Sequence, residues 1–256
     1  MNPRTIVVCV GNVFCNKKIV VYITIDMKYL LYFLFMCVYL SNSRIVCENI
    51  PSIHFTHNNF ILVKDTIDEE VANRFIYELN QMPTKENVTV YLDTNGGSVE
   101  HGNKMLTEIQ KYNLSCVAER AYSMGFVLLQ GCNKRYITPY GRIMQHQISY
   151  GVQNEKGKID SYVNFIDQVE DQLANMQASK INMSVDTFRL KTMNDWWLIG
   201  QNAVQNNCVD NIMNVYCDSK LTKMNYTVSF GPYHQVYSRC PLVSEPIDSF
   251  IASAKI

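Results

Sequence analysis

The chain has no surplus of either charge. Lys and Arg total 23, and so do Asp and Glu, across 256 residues. Without a basic excess it lacks the footprint of a nucleic-acid binder, and no nucleic-acid partner is expected. No C-x-x-C pair occurs among its nine cysteines, which argues against a zinc site. Neither a G-K-[ST] word nor a G-x-G-x-x-G word is present, so its glycine turns do not read as phosphate cradles. Repeats and low-complexity tracts are missing too. No unbroken apolar run reaches the roughly 20 residues that a membrane-spanning helix needs. What remains is 47% hydrophobic and 18% charged. That describes a globular chain of one ordinary domain with appendages.

The first appendage is N-terminal. Met27–Arg44 reads as a lysine, an apolar stretch from Tyr29 to Leu40, then small polar residues. This is the order of a secretory signal. Residues 1–43 are therefore expected to be a signal or signal-anchor region, with residues 19–40 offering membrane association. A buried N-terminal strand pair is the alternative reading, and with it a cytoplasmic or organellar location. Four N-x-S/T sequons, at Asn87, Asn113, Asn182 and Asn225, agree with the secretory expectation. Without the segment before Arg44, six cysteines remain: Cys47, Cys116, Cys132, Cys208, Cys217 and Cys240. An even number permits disulfides but does not choose among the pairings.

From Asn59 the pattern alternates. "NFILVK" reads as a strand. Thr66 with Glu69 reads as a capping box, opening a helix on Val71, Ala72, Phe75, Ile76 and Leu79. "VTVYLD" is a second strand and "TNGGS" a turn. A helix follows on Val99, Gly102, Met105, Leu106, Ile109 and Tyr112, then a third strand at Leu114–Glu119. Such alternation predicts βαβ crossovers and a largely parallel sheet. Further on, Ser123–Gln130 reads as a short helix, and "KRYIT" and "RIMQHQI" as two strands. Ile159–Ile181 is a long helix, and Ser184 caps another. "GQNAVQNN" is a short helix and "CVDNIMNV" a last strand. Residues 216–256 lose periodicity and read as an appended tail, which a Cys217–Cys240 bridge would staple in an oxidising compartment.

Four words carry chemistry. Ser123, in "RAYSMGFVLL", follows a strand and opens a helix. Backbone N–H groups there stabilise negative charge, and the same place suits a plain cap. "NGGS" aims a backbone turn into a cleft. His146 lies near a strand's end. Asp195, before two tryptophans, could orient a histidine from an apolar surround.

"NGGSVEHG", "AYSMGFVLL", "RIMQHQI" and "NDWWLIGQNAVQNNCVDNI" resemble, in this order, the signature words of the Clp protease proteolytic subunit family. His146 follows Ser123 by 23 residues and Asp195 follows His146 by 49, the first spacing slightly shorter than in the family and the second typical of it. The resemblance covers Asn59–Asn214. It implies an α/β fold, the Clp/crotonase-like ββα spiral with a long handle helix at Ile159–Ile181, spanning a peptidase domain at 44–215. It implies a serine endopeptidase acting on peptides or unfolded proteins without a cofactor or metal. Ser123 would be the nucleophile, His146 the general base and Asp195 its orienting carboxylate. The N–H groups of Gly97 and Met124 would form the oxyanion hole. A homo-oligomeric ring is also implied.

The sequence departs from the family at several points. Tyr122 is bulky where the family is small, which predicts a site unlike its relatives. "HQI" stands for "HQP", and Cys208 replaces a glycine. The family's axial loop, which meets an ATPase unfoldase, has no counterpart in Arg44–Asn58, and this speaks against such a partner. Two alternatives follow. One is a catalytically silent scaffold or adaptor on the same fold. The other is a membrane-associated peptidase of the signal-peptide-peptidase type, which would need a lysine base.

Overall fold

The computed structural model describes residues 4–11, 18–25 and 50–251. The chain divides into two units, Met1–Asn49 and Ile50–Ile256. In the first, β1 (Arg4–Gly11) and β2 (Lys18–Ile25) pair antiparallel. The signal-like stretch Tyr29–Leu40 lies outside the described residues.

The second unit is built on a sheet in the order β4 (Phe60–Ile67), β5 (Thr89–Gly97), β6 (Ser115–Tyr122), β7 (Arg135–Gln145) and β8 (Trp196–Ile199). The first four strands are parallel, β8 is antiparallel to β7, and the short β9 (Asn211–Ile212) adds to β7 in parallel. The crossovers are α1 (Glu69–Gln81), α2 (Val99–Lys111) and α3 (Met124–Gly131). The sequence alternation predicted this layout.

Both faces of the sheet are covered, and strand alternation sorts the residues. Ile61, Val63, Val90, Leu92, Cys116, Ala118, Ile137 and Ile143 face the helices and join one core with Phe75, Leu79, Met105, Ile109 and Leu128. Phe60, Tyr91 and Val117 face the other way and pack with Phe55, Met213 and Leu221. That second layer rests on β3 (Ser52–Phe55), which pairs in parallel with β10 (Asn214–Cys217), and on α7 (Ser219–Lys223). Two-sided burial is what the parallel strands of such a sheet require.

α4 (Lys156–Lys180) is the long helix that the sequence predicts. Only its second half is buried, through Leu173, Ala174, Gln177 and Ala178. Tyr162 and Phe165 in the first half are exposed. α5 (Val185–Thr192) is capped by Ser184, whose Oγ accepts from Thr187 N–H at 3.3 Å. α6 (Gly200–Gln205) matches its expected segment. The residues after Asn225 form an antiparallel meander, β11 (Asn225–Phe230), β12 (Tyr233–Ser238) and β13 (Asp248–Ile251). A Cys217–Cys240 disulfide ties it to the end of β10. A second disulfide, Cys116–Cys132, joins β6 to the residue after α3.

Several expectations need correction. α1 is not opened by a Thr66–Glu69 box. β4 runs on to Ile67, and the Asp68 carboxylate accepts from Val71 N–H at 2.9 Å. "KRYIT" and "RIMQHQI" are one strand, not two. The pairing of β6 with β7 jumps from Ala118↔Ile137 to Arg120↔Arg142, so Thr138–Gly141 bulge out and the strand continues. The glycine turn is the end of β5, held against Thr66 and Ile67. "CVDNIMNV" splits between β9 and β10, which belong to different sheets.

Candidate active site

The parallel strands end together, and each expected site residue sits at or just beyond a strand end. Ligands of open α/β sheets bind at these carboxyl ends. Gly97 closes β5, Ser123 follows β6 and His146 follows β7. β8 runs antiparallel, so the residue before it lies at the same end. Gln145 pairs with Trp196 in the last rung of the β7–β8 ladder. His146 and Asp195 are the residues just outside that rung. Ser123 is tied in by its own N–H, which donates to Met144 O at 2.9 Å.

Ser123 answers the question its sequence position raised. It precedes α3 but makes no side-chain capping bond. Its backbone is at φ 52°, ψ −118°, a region that costs a non-glycine residue about 1–3 kcal/mol. A cap would sit in extended backbone with its oxygen on the first turn. Ser123 instead lies on a sharp strand-to-helix turn and lines a pocket with Gly97, Met124 and His146. Its carbonyl accepts from Phe126 and Val127 N–H. Among the described residues, no hydrogen bond takes up the N–H of Met124. That donor is free at a helix N-terminus beside the serine.

The glycines permit this approach. A Cβ on Gly96 would lie 2.5 Å from Tyr122 O and 2.7 Å from Ser123 Cβ, and one on Gly97 would lie 2.3 Å from Ile67 O. Both also have positive φ, 88° and 149°. Only glycine lets β5 close onto the serine turn. Gly102 plays a packing part, since the Met124 side chain fills the space its Cβ would take.

His146 is anchored by residues the sequence reading did not single out. Its N–H donates to Gln145 Oε1 at 3.2 Å, Gln145 Nε2 donates to Gln177 Oε1, and Gln177 Nε2 donates to Leu173 O at 3.0 Å. Both glutamines are buried and line the pocket. This relay fixes the end of β7 to α4. A signal existed: Gln177 is a polar residue on the stripe that also holds Leu173, Ala174 and Ala178.

Not every expected residue converges. Asp195 is exposed and does not line the pocket, so the apolar surround expected of it is absent. Trp196 turns inward to meet Phe126 and Phe188, which leaves the residue before it outside. Among the described residues no hydrogen bond links Ser123, His146 and Asp195. Tyr122 does not enter the pocket either. It packs edge-on against Trp197, with ring centroids 4.9 Å apart, so its bulk lies beside the site. No lysine lines the pocket; its charged members are Glu170 and Arg189. Among the described residues, no three His, Cys, Asp or Glu side chains gather as a metal site.

Cys208 and Asp210 belong to the opposite end of the sheet. The Asp210 carboxylate accepts from Arg135 N–H at 2.7 Å and from its guanidinium at 2.6 Å. Arg135 also donates to Gln130, whose amide reaches Cys208 O. Burial pushes the Cys208 thiol up to about 12.

The fold and this pocket define an α/β protein with a serine and a histidine at the carboxyl ends of a parallel sheet, beside a glycine turn and a helix N-terminus. The Clp protease family model matches residues 48–215, and the chain belongs to that family. Its relatives include the ATP-dependent Clp protease proteolytic subunit 2 of Tropheryma whipplei, 29% identical over 156 residues, which cover 58% of this chain and 87% of the relative. The subunit of the same name from Corynebacterium diphtheriae is 28% identical over 163 residues, 60% of this chain and 81% of the relative. At family level the chain is a Clp-like peptidase with the mixed α/β Clp/crotonase-like fold.

Proposed function

We propose that this protein is a serine endopeptidase that cuts peptides or unfolded segments at the pocket beside α3. Ser123 Oγ attacks the scissile carbonyl. His146 takes its proton and returns it to the leaving amine, and Asp195 orients the imidazole and offsets its charge. The N–H groups of Gly97 and Met124 receive the oxyanion, each worth about 3 kcal/mol in the transition state. The observation that carries this reading is the backbone of Ser123, strained and uncapped in a pocket it shares with His146. The position of His146 and Asp195 just outside the last β7–β8 rung supports the third role. On this reading Asp195, exposed in the free chain, engages His146 in the substrate complex, since catalytic hydrogen bonds often tighten only there.

The relatives are named as proteolytic subunits of an ATP-dependent protease. We extend this to a homo-oligomeric ring, which the unpacked first half of α4, with Tyr162 and Phe165 exposed, also favours. A silent scaffold is the second reading, and the exposure of Asp195 favours it. Peptide hydrolysis by the assembled full chain separates the two. Ser123→Ala and His146→Ala should each lower turnover by several orders of magnitude, because such residues act as a unit. Wild-type protein that is folded, assembled and inactive on a broad peptide library would overturn the peptidase reading.

A further inference from the structure

The end of the sheet opposite the pocket carries three of the four sequons. Asn87 precedes β5 by two residues and Asn113 precedes β6 by two. Thr89 and Ser115 pair directly in the ladder, so the two asparagines stand on neighbouring strands at one end. Asn182 follows α4 and reaches the same end. Lys180 Nζ donates to Asn133 O, and Asn133 N–H donates to Leu114 O. All three asparagines are exposed, and none of their side chains makes a hydrogen bond among the described residues. Asn113 and Asn182 have φ of 51° and 57° and sit on turns just after helices. The two disulfides, Cys116–Cys132 and Cys217–Cys240, are a second observation pointing the same way, since such bonds persist in the oxidising compartments where sequons are read.

We propose that Asn87, Asn113 and Asn182 carry N-linked oligosaccharides, making the amino end of the sheet a glycosylated surface. The donor is an oligosaccharide on a lipid diphosphate. The side-chain nitrogen bonds to the anomeric carbon, the bond from that carbon to the diphosphate oxygen breaks, and the lipid diphosphate leaves with the electron pair. The amide gives up one proton. The placement has a consequence for assembly: glycans there leave the pocket end open, and any contact between copies must use another face.

The test isolates the full chain from eukaryotic cells that express it from its own Met1. It is treated with peptide N-glycosidase in heavy-oxygen water, and its peptides are mapped by mass. The released asparagines become isotope-tagged aspartates. The expected result is a gain in gel mobility and the tag at Asn87, Asn113 and Asn182, with the shift reduced in the triple Asn→Gln variant, which keeps the sequon at Asn225. Site mapping on wild type does not depend on that variant folding. Unmodified peptides at all three positions, in folded protein from those cells, would overturn the proposal. So would a mobility shift that survives the triple variant undiminished with no tag at these sites.

Discussion

Replacing Gly96 by alanine tests whether the serine turn is built by close backbone approach. Two costs add. The φ of 88° is left-handed, which costs an alanine about 1–2 kcal/mol. The new methyl would sit 2.5 Å from Tyr122 O and 2.9 Å from Met124 N, and backbone atoms cannot swing away as a flexible side chain does. Overpacking of this kind costs roughly 1–3 kcal/mol. The total of about 2–5 kcal/mol is a large share of a domain's usual 5–15 kcal/mol. Gly231 supplies the control. It has φ 59°, and a methyl added there would meet nothing within 4 Å, so Gly231→Ala carries the conformational cost alone. Urea unfolding of both variants should place Gly96→Ala at least about 1 kcal/mol below Gly231→Ala, the low end of the overpacking cost. Peptidase activity should fall in Gly96→Ala and persist in Gly231→Ala. Equal stability of the two variants, with activity intact, would refute the account of the turn.

Three other outcomes follow from the structure. Gln177→Leu alone strands the buried Gln145 amide and should cost about 1–3 kcal/mol, while Gln145→Leu with Gln177→Leu should recover most of that stability and still lower activity, as a double-mutant cycle would reveal. Removing the Cys116–Cys132 bridge with Cys116→Ala and Cys132→Ala should lower unfolding free energy by about 3 kcal/mol for a loop of this length, read by urea titration against oxidised wild type. The Cys208 thiol, pushed up to about 12 by burial, stays protonated in the folded protein. Its alkylation at pH 8 should therefore be slow until denaturant is added, and rapid labelling of Cys208 in the native protein, read by peptide mapping, would contradict that burial.

The helices were legible wherever an apolar stripe met a sheet. Val71, Ala72, Phe75 and Leu79 recur at helical spacing and are the buried residues of α1. Strand ends were less legible, because they are set by partners far away in sequence. β4 continues past Lys64 only because Thr66 and Ile67 find Gly96 and Gly97, and the β7 bulge at Thr138–Gly141 reflects its fit to β6. The same limit governed the site. Ser123, His146, Gly97 and Met124 were readable as words in order, and they line one pocket. The Gln145–Gln177 relay was not, since it joins a strand end to a helix 32 residues on. Nor was the outward placement of Asp195, which the inward packing of Trp196 decides. The Cys217–Cys240 staple was legible from the tail, whereas the Cys116–Cys132 bridge lay beyond counting arguments and forms where β6 and the end of α3 are brought together.

The central claim is that Ser123 is an activated nucleophile. A fluorophosphonate probe, applied to folded and assembled full-length protein, tests it most directly. The account predicts covalent labelling that maps to Ser123, absent in Ser123→Ala and strongly slowed in His146→Ala. A wild-type protein that stays unlabelled, or labels equally well after Ser123→Ala, would contradict it.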